Sequence, residues 1–397
     1  MNTFHIFLPP SPRLLIGITL LFVTLLLAAC GGSAGDSWAG VSVNPNADSI
    51  YVSFNERVVA INPVSGAILW EYPDKDDRDA KFYAVPVVDN STIYVGDYKG
   101  NVHAISADGD KLWVYEPDRE KLIGPISPTP IDRVIGGVAV DSNKVFFGLG
   151  SRNVVAISRE TAKEVWTFET NQGVWARPLY IPANPEDETS RAIVYVVSLD
   201  HYLYALDAET GDLLWKKNLG GAAPGDMIYD ETRNRVYVGT FISELLAIDL
   251  STHEITDRYK TEDWIWGRPA LEDDMLYFGD LGGYLYAVRI TDQGFEEEWK
   301  RSVAEGAIRG TPMVTETLVV VGSKDKHVYA VDKADGTDEW SEKTRGEVLT
   351  ELLFIPGDPE NEDAPDLVIV GTTERERLIM SYDVNSGDEA WHYSDKN

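Results

Sequence analysis

Along residues 203–215 (LYALDAETGDLLW) apolar and polar positions alternate with a period of two, break at a turn closed by Thr210 and Gly211, and resume toward Trp215. Strand side chains point to opposite faces in turn, so this phrase predicts two strands joined by a tight turn. It recurs from Val58, Val102, Val154, Leu285, Val328 and Ile379, each copy running to a Trp, with a degenerate copy from Leu245 (LLAIDLSTHEITD) that has lost its Trp. First residues of the eight copies lie 44, 52, 49, 42, 40, 43 and 51 positions apart. A period of that length is one propeller blade rather than one hairpin.

Each unit reads as four short strands with Gly, Asp and Asn at the breaks. In blade four they are expected at 174–181, 193–198, 202–207 and 212–216, and in blade two at 83–88, 92–96, 101–106 and 111–115. Blade six repeats the phrase at 266–271, 275–279, 283–288 and 297–299, and blade seven at 310–314, 318–322, 327–332 and 337–340. The pattern predicts an all-β, eight-bladed β-propeller of four-stranded antiparallel blades over residues 38–397. Because all eight units start and stop in phase, no extra strand locks the first blade to the last. Closure is expected to rest on face-to-face packing, unless residues 31–37 add an edge strand.

The repeat has a local chemistry. Asn62, Asp207, Asp249, Asp332 and Asp383 follow third strands, where a short acid or amide can accept from backbone amides two residues on. Gly66, Gly109, Gly211, Gly336 and Gly387 then supply the positive φ that a Cβ disfavours. Four residues further stands the Trp, whose ring can be buried between blades while its N–H reaches a carbonyl. Seven of the eleven Trp residues (Trp70, Trp113, Trp166, Trp215, Trp299, Trp340, Trp391) take this structural place.

Composition narrows the function. Asp and Glu number 65 against 35 Lys and Arg, a net charge of −30, which repels phosphate backbones and speaks against nucleic-acid binding. Residues 14–29 (LLIGITLLFVTLLLAA) carry no charge and lead into the single cysteine, Cys30. That apolar run is short for a membrane span and fits a secretory signal. Leu27-Ala28-Ala29-Cys30 resembles the bacterial lipobox, which implies a signal peptide over 1–29, lipidation of Cys30 and a flexible tether over 30–37; an uncleaved anchor is the other reading. Gly31, where Asp commonly retains lipoproteins at the inner membrane, favours the outer membrane if the organism has one, otherwise the outer face of the plasma membrane. With one Cys, no intramolecular disulfide can form. The inserts at 117–132, 183–191 and 356–366 read as surface loops, the last two acidic.

The four other Trp residues, Trp38, Trp175, Trp264 and Trp266, open first strands, which in a propeller line the central channel. In one frame stand Val174-Trp175-Ala176-Arg177-Pro178, Ile265-Trp266-Gly267-Arg268-Pro269, Ile308-Arg309-Gly310-Thr311-Pro312 and Phe82-Tyr83-Ala84-Val85-Pro86. Strand alternation sets Trp175 with Arg177, and Trp266 with Arg268, on one face. Tyr83, Trp175, Arg177, Trp266, Arg268 and Arg309 are therefore candidates for a ligand- or partner-binding channel mouth, since Trp and Arg are common anchors. A structural reading stands beside it: the Trp residues plug the channel and each Arg pairs with an acid such as Glu351.

The Trp-docking phrase resembles the repeats of the pyrroloquinoline-quinone-like propeller superfamily over nearly the whole chain after residue 38. That superfamily includes quinoprotein dehydrogenases and non-catalytic propeller lipoproteins, among them the propeller subunit of the outer-membrane β-barrel assembly machinery (BamB-like). A lipobox and eight blades with short loops look like the second group. The resemblance implies a monomeric, membrane-anchored, non-catalytic scaffold for protein partners in the envelope, with no cofactor and no metal. The alternatives are a dehydrogenase using pyrroloquinoline quinone with calcium, and a receptor using the Trp/Arg mouth. The vicinal Cys pair of many quinoproteins is impossible here. Asp97, Asp200, Asp280 and Asp325 recur at one blade position and read as turn acids rather than calcium ligands. The six His residues (His5, His103, His201, His253, His327, His392) show no metal-ligand spacing, and His103, His201 and His327 are expected to be partly exposed.

Overall fold

The computed structural model describes residues 38–73, 80–117, 133–187, 189–358, 360–361 and 364–395. Cys30, the signal segment 1–29, the tether 30–37 and nearly all of the insert at 117–132 lie outside the described residues. Within them the chain forms eight four-stranded sheets, each made of four consecutive strands paired in sequence order. The sheets are antiparallel throughout and are the blades of a β-propeller.

Burial explains why the pattern was readable. Second strands such as Lys144–Gly148, Leu318–Gly322 and Leu367–Gly371 are buried at every position, because a sheet lies against each of their faces. Outermost strands alternate, as in Glu254–Lys260, where every second side chain meets water. Each of the eight hydrophobic clusters joins residues of two adjacent blades. The core is therefore the set of seams between blades.

The docking phrase forms as read. Asp207 Oδ1 accepts from the amides of Glu209 and Thr210 at 2.9 and 3.2 Å, and Asn62, Asp249, Asp332 and Asp383 cap their turns likewise. In each third–fourth strand pair the register slips beside a small residue, so Ala60, Ala205 and Ser381 face Trp70, Trp215 and Trp391. Each Trp then crosses to the next blade. Trp166 Nε1 donates to Ala208 O at 3.2 Å, Trp340 to Val384 O at 2.8 Å, and Trp70 to Ala107 O at 2.8 Å. The ring lies on the turn glycine: a Cβ on Gly211 (φ +76°) would stand 2.6 Å from Trp166. Where blade five replaces that glycine with His253, Trp215 stacks on the imidazole at 4.3 Å.

Blade five, which lacks the Trp, closes its seam by other chemistry. Asp257 occupies the Trp position opposite Ala247, and its carboxylate accepts from the amide of Phe295 in blade six. The receiving hairpin has grown to match, with strands Tyr284–Thr291 and Gly294–Ser302.

Among the described residues no strand is shared between the first and last blades; residues 31–37, the alternative edge strand, lie outside them. Ala39, Val41 and Ile50 of blade one share a cluster with Ile369, Ile379 and Tyr393 of blade eight. Trp391 Nε1 donates to Pro63 O at 2.9 Å, and Thr350 Oγ1 donates to Ala39 O at 2.9 Å.

One expectation is corrected. First strands are shorter than read: Leu179–Ile181, Val87–Asp89, Ala270–Glu272 and Met313–Val314. All four begin at the residue after a proline (Pro178, Pro86, Pro269, Pro312), because proline has no N–H to give the ladder. The Trp/Arg frames precede the strands rather than lying in them.

Candidate axial site

Those pre-strand frames meet at the propeller axis. A cavity of about 120 Å³ is lined by residues from every blade, from Trp38 of blade one to Glu351 of blade eight. Small middle residues let neighbouring frames approach: a Cβ on Gly225 would fall 1.7 Å from Trp266 O, and one on Gly310 would fall 2.2 Å from Thr350 O. Positions on either side of the small residue face the axis. The frames thus stack two rings of side chains, one mainly aromatic and one charged.

The aromatic ring holds Trp38, Trp175 and Trp266, with Arg309 in the same frame position. Trp175 and Trp266 lie 5.7 Å apart between ring centres and are tilted by 36°. Arg309 spreads over Trp266, its Cζ 3.8 Å from the ring centre, and lies 5.8 Å from the centre of Trp38. Beyond Trp266 follow Phe241 at 5.5 Å and then Trp264, stacked on Phe241 at 4.9 Å and 47% exposed at the rim. Tyr83 is displaced from the group predicted to line the mouth. It is buried, packs edge-on against Trp38 at 5.0 Å and lies against Tyr98 at 4.4 Å with a tilt of 30°, so it supports the Trp38 ring.

The charged ring holds Arg177, Asp226, Arg268 and Glu351. Arg177 Nε stands 3.4 Å from Asp226 Oδ2, and the Arg177 amide donates to Asp226 Oδ1 at 2.7 Å. Arg268 reaches Glu351 more loosely, at 3.9 Å. Burial pushes the Glu351 carboxyl up from its ordinary range, opposed by Arg268 and Arg177. Among the described residues Arg309 has no such partner: its Nε is buried without an acceptor and no acid lies within ion-pair distance. Desolvation pulls its guanidinium below its ordinary value, with only Glu347 acting the other way. Asp226 was missed by sequence reasoning because its frame, Ala223-Pro224-Gly225-Asp226-Met227, has its proline at a different position.

The donor set does not fit a calcium-bound quinone. The two axial carboxylates face guanidinium groups, and the recurrent turn acids have their oxygens engaged. Asp280 accepts from the amides of Gly282, Tyr284 and Asp263 and from the Tyr286 hydroxyl at 2.7 Å. Asp200 and Asp325 accept from Tyr204 and Tyr329 in the same way. Among the described residues no group of three or more His, Cys, Asp or Glu side chains is placed to hold a metal.

In blade two, His103 replaces that tyrosine. It was expected to be partly exposed, but it is buried, because its ring sits in the seam, 3.3 Å from Asp97 and 3.1 Å from Tyr72 OH of blade one, with Phe82 edge-on.

Comparisons with known proteins agree with the ring. Outer membrane protein assembly factor BamB of Yersinia pestis is 23% identical over 300 residues, covering 72% of this chain and 70% of the relative. Quinohemoprotein alcohol dehydrogenase of Comamonas testosteroni is 29% identical over 188 residues, and the match spans only 25% of that longer protein. The crystal structure of BamB from Moraxella catarrhalis superposes with a TM-score of 0.62 at 18% identity, covering 86% of this chain and 92% of that one. A sequence model of one family matches residues 33–132, 120–263 and 257–396, and the chain belongs to that family, described as outer membrane protein assembly factor BamB.

Proposed function

We propose that the chain is an exported lipoprotein, anchored through Cys30, that serves as a non-catalytic scaffold for other proteins in the cell envelope, assembly of outer membrane proteins being the task its family description names. One observation supports this reading: the axis, where a quinoprotein would hold its cofactor, is narrowed by interlocking side chains of this chain to a cavity of about 120 Å³. Trp175, Trp266 and Arg309 pack together there, and the two carboxylates among the described residues that line the axis, Asp226 and Glu351, face Arg177 and Arg268. Protein partners, too large for that cavity, are left the acidic exterior and the rims.

In vivo cross-linking from the rims, followed by purification from membranes, tests the proposal. The expected result is a discrete set of envelope proteins joined to the wild type and lost when Cys30→Ser releases the chain from the membrane. Titration with pyrroloquinoline quinone and Ca²⁺, read by Trp fluorescence, supplies the opposite outcome. Saturable, calcium-dependent quenching together with dye-linked alcohol oxidation would replace the scaffold with a dehydrogenase.

A further inference from the structure

We infer that the axial mouth binds a small monocarboxylate carrying a flat apolar body, its carboxylate held by Arg309 and its body laid against Trp38 and Trp175. The inference does not depend on the scaffold reading.

Charge balance points to a single negative charge. Three arginines and two acids line the cavity: Arg177, Arg268 and Arg309 against Asp226 and Glu351. Among the described residues Arg177 and Arg268 each stand within 4 Å of an acid, and Arg309 does not. A desolvated cation with no counter-ion is costly, and the cost falls when an anion enters beside it. The Nε–H groups of Arg309 and Arg268 are both buried without an acceptor, and a guanidinium can donate two parallel bonds to one carboxylate; of the two, Arg309 is the one without an ion-pair acid among the described residues. The Arg309 plane is itself held against Trp266 at 3.8 Å, so little side-chain freedom remains to be lost on binding.

The shape of the rest follows from the aromatic ring. Trp38 and Trp175 line the cavity without filling it, and half-buried indoles offer flat apolar faces. The volume of about 120 Å³ limits the occupant to a small body, and the paired Arg177 and Arg268 make a polyanion a poor match. A phosphate would satisfy Arg309 but would leave the indole faces wet.

The test uses the intact chain in detergent and ¹⁹F NMR line broadening with 4-fluorophenylacetate, its neutral amide 4-fluorophenylacetamide, and fluoroacetate as a carboxylate without the flat body. The expected result is saturable broadening of 4-fluorophenylacetate, at least about tenfold weaker for the amide and for fluoroacetate, the change expected when a charge-assisted pair or a stacked body is removed. Arg309→Gln should weaken the phenylacetate by a similar factor and leave the amide unchanged. Equal binding of acetate and amide by the wild type would overturn the inference without reference to any variant. So would undiminished binding by a folded Arg309→Gln, or the absence of saturation at millimolar ligand.

Discussion

At Trp166 the indole is nearly fully buried, packs on Gly211 of the next blade and donates to Ala208 O, so its removal leaves both a cavity and an unpaired carbonyl. Trp166→Ala should cost about 3–5 kcal/mol in urea unfolding. A loss below about 1 kcal/mol would show that the ring merely covers the seam. The turn acids answer to pH. Asp249 is held below the ordinary carboxylate range, first by the Thr252 amide against the cost of desolvation, then by the Thr252 hydroxyl, the Ser251 amide and Arg235. A depressed folded value means that the unfolded chain binds more protons, so this contribution is complete above the unfolded value near ~3.9 and is lost as pH falls through the folded one. Asp249→Asn should therefore flatten the fall in stability between about pH 5 and 3 relative to wild type. An identical slope would remove Asp249 from the account. These residues were legible because turn and docking chemistry is local. The pairing of Arg177 with Asp226 was not, since it joins the adjacent frames of blades four and five beside the axis and rests on a frame without the usual proline.

At the scale of elements, the second and third strands were read nearly to the residue, save the third strand of blade six, which runs on to Thr291, because burial on both faces makes their apolar runs continuous and turn residues end them. First strands were started four residues early in blades two and six and five residues early in blade four. The apolar pattern continues through Val174-Trp175-Ala176 although the hydrogen-bond ladder starts only after Pro178, so hydrophobicity reported the axis and proline reported the strand. The lost Trp of blade five reads as decay in sequence, yet the structure puts Asp257 in its place as an acceptor for the Phe295 amide. Asp257→Ala should therefore destabilise by about 1–3 kcal/mol, the range for removing a charged acceptor from a partly buried donor. Hydrogen exchange would localise the effect, with Phe295 and its neighbours in Gly294–Ser302 exchanging faster and the blade one–two seam unchanged. Uniform acceleration over the ring would mean that this seam is not a local clasp.

For the whole molecule the question is what closes the ring. Where a strand of one blade comes from both ends of the chain, closure resists unfolding through backbone pairing; here, among the described residues, each blade is made of four consecutive strands, so the seam they form between blades eight and one holds by what holds the others. Its parts are the same. Trp391 donates to Pro63 O and lies on Gly66 (φ +69°), and Trp340 donates to Val384 O and lies on Gly387 (φ +78°). In-phase repeats made this legible from sequence, whereas the added bond from Thr350 to Ala39 was not, since it joins residues 311 positions apart. If closure is an ordinary seam, Trp391→Ala and Trp340→Ala should lower stability by amounts within about 1 kcal/mol of each other, since equivalent burial gives similar cavity costs. Both variants should still unfold in a single calorimetric transition, because every blade is packed on two neighbours. A much larger loss for Trp391→Ala, or a second transition appearing only in that variant, would mean that the ring opens first at the join between its ends.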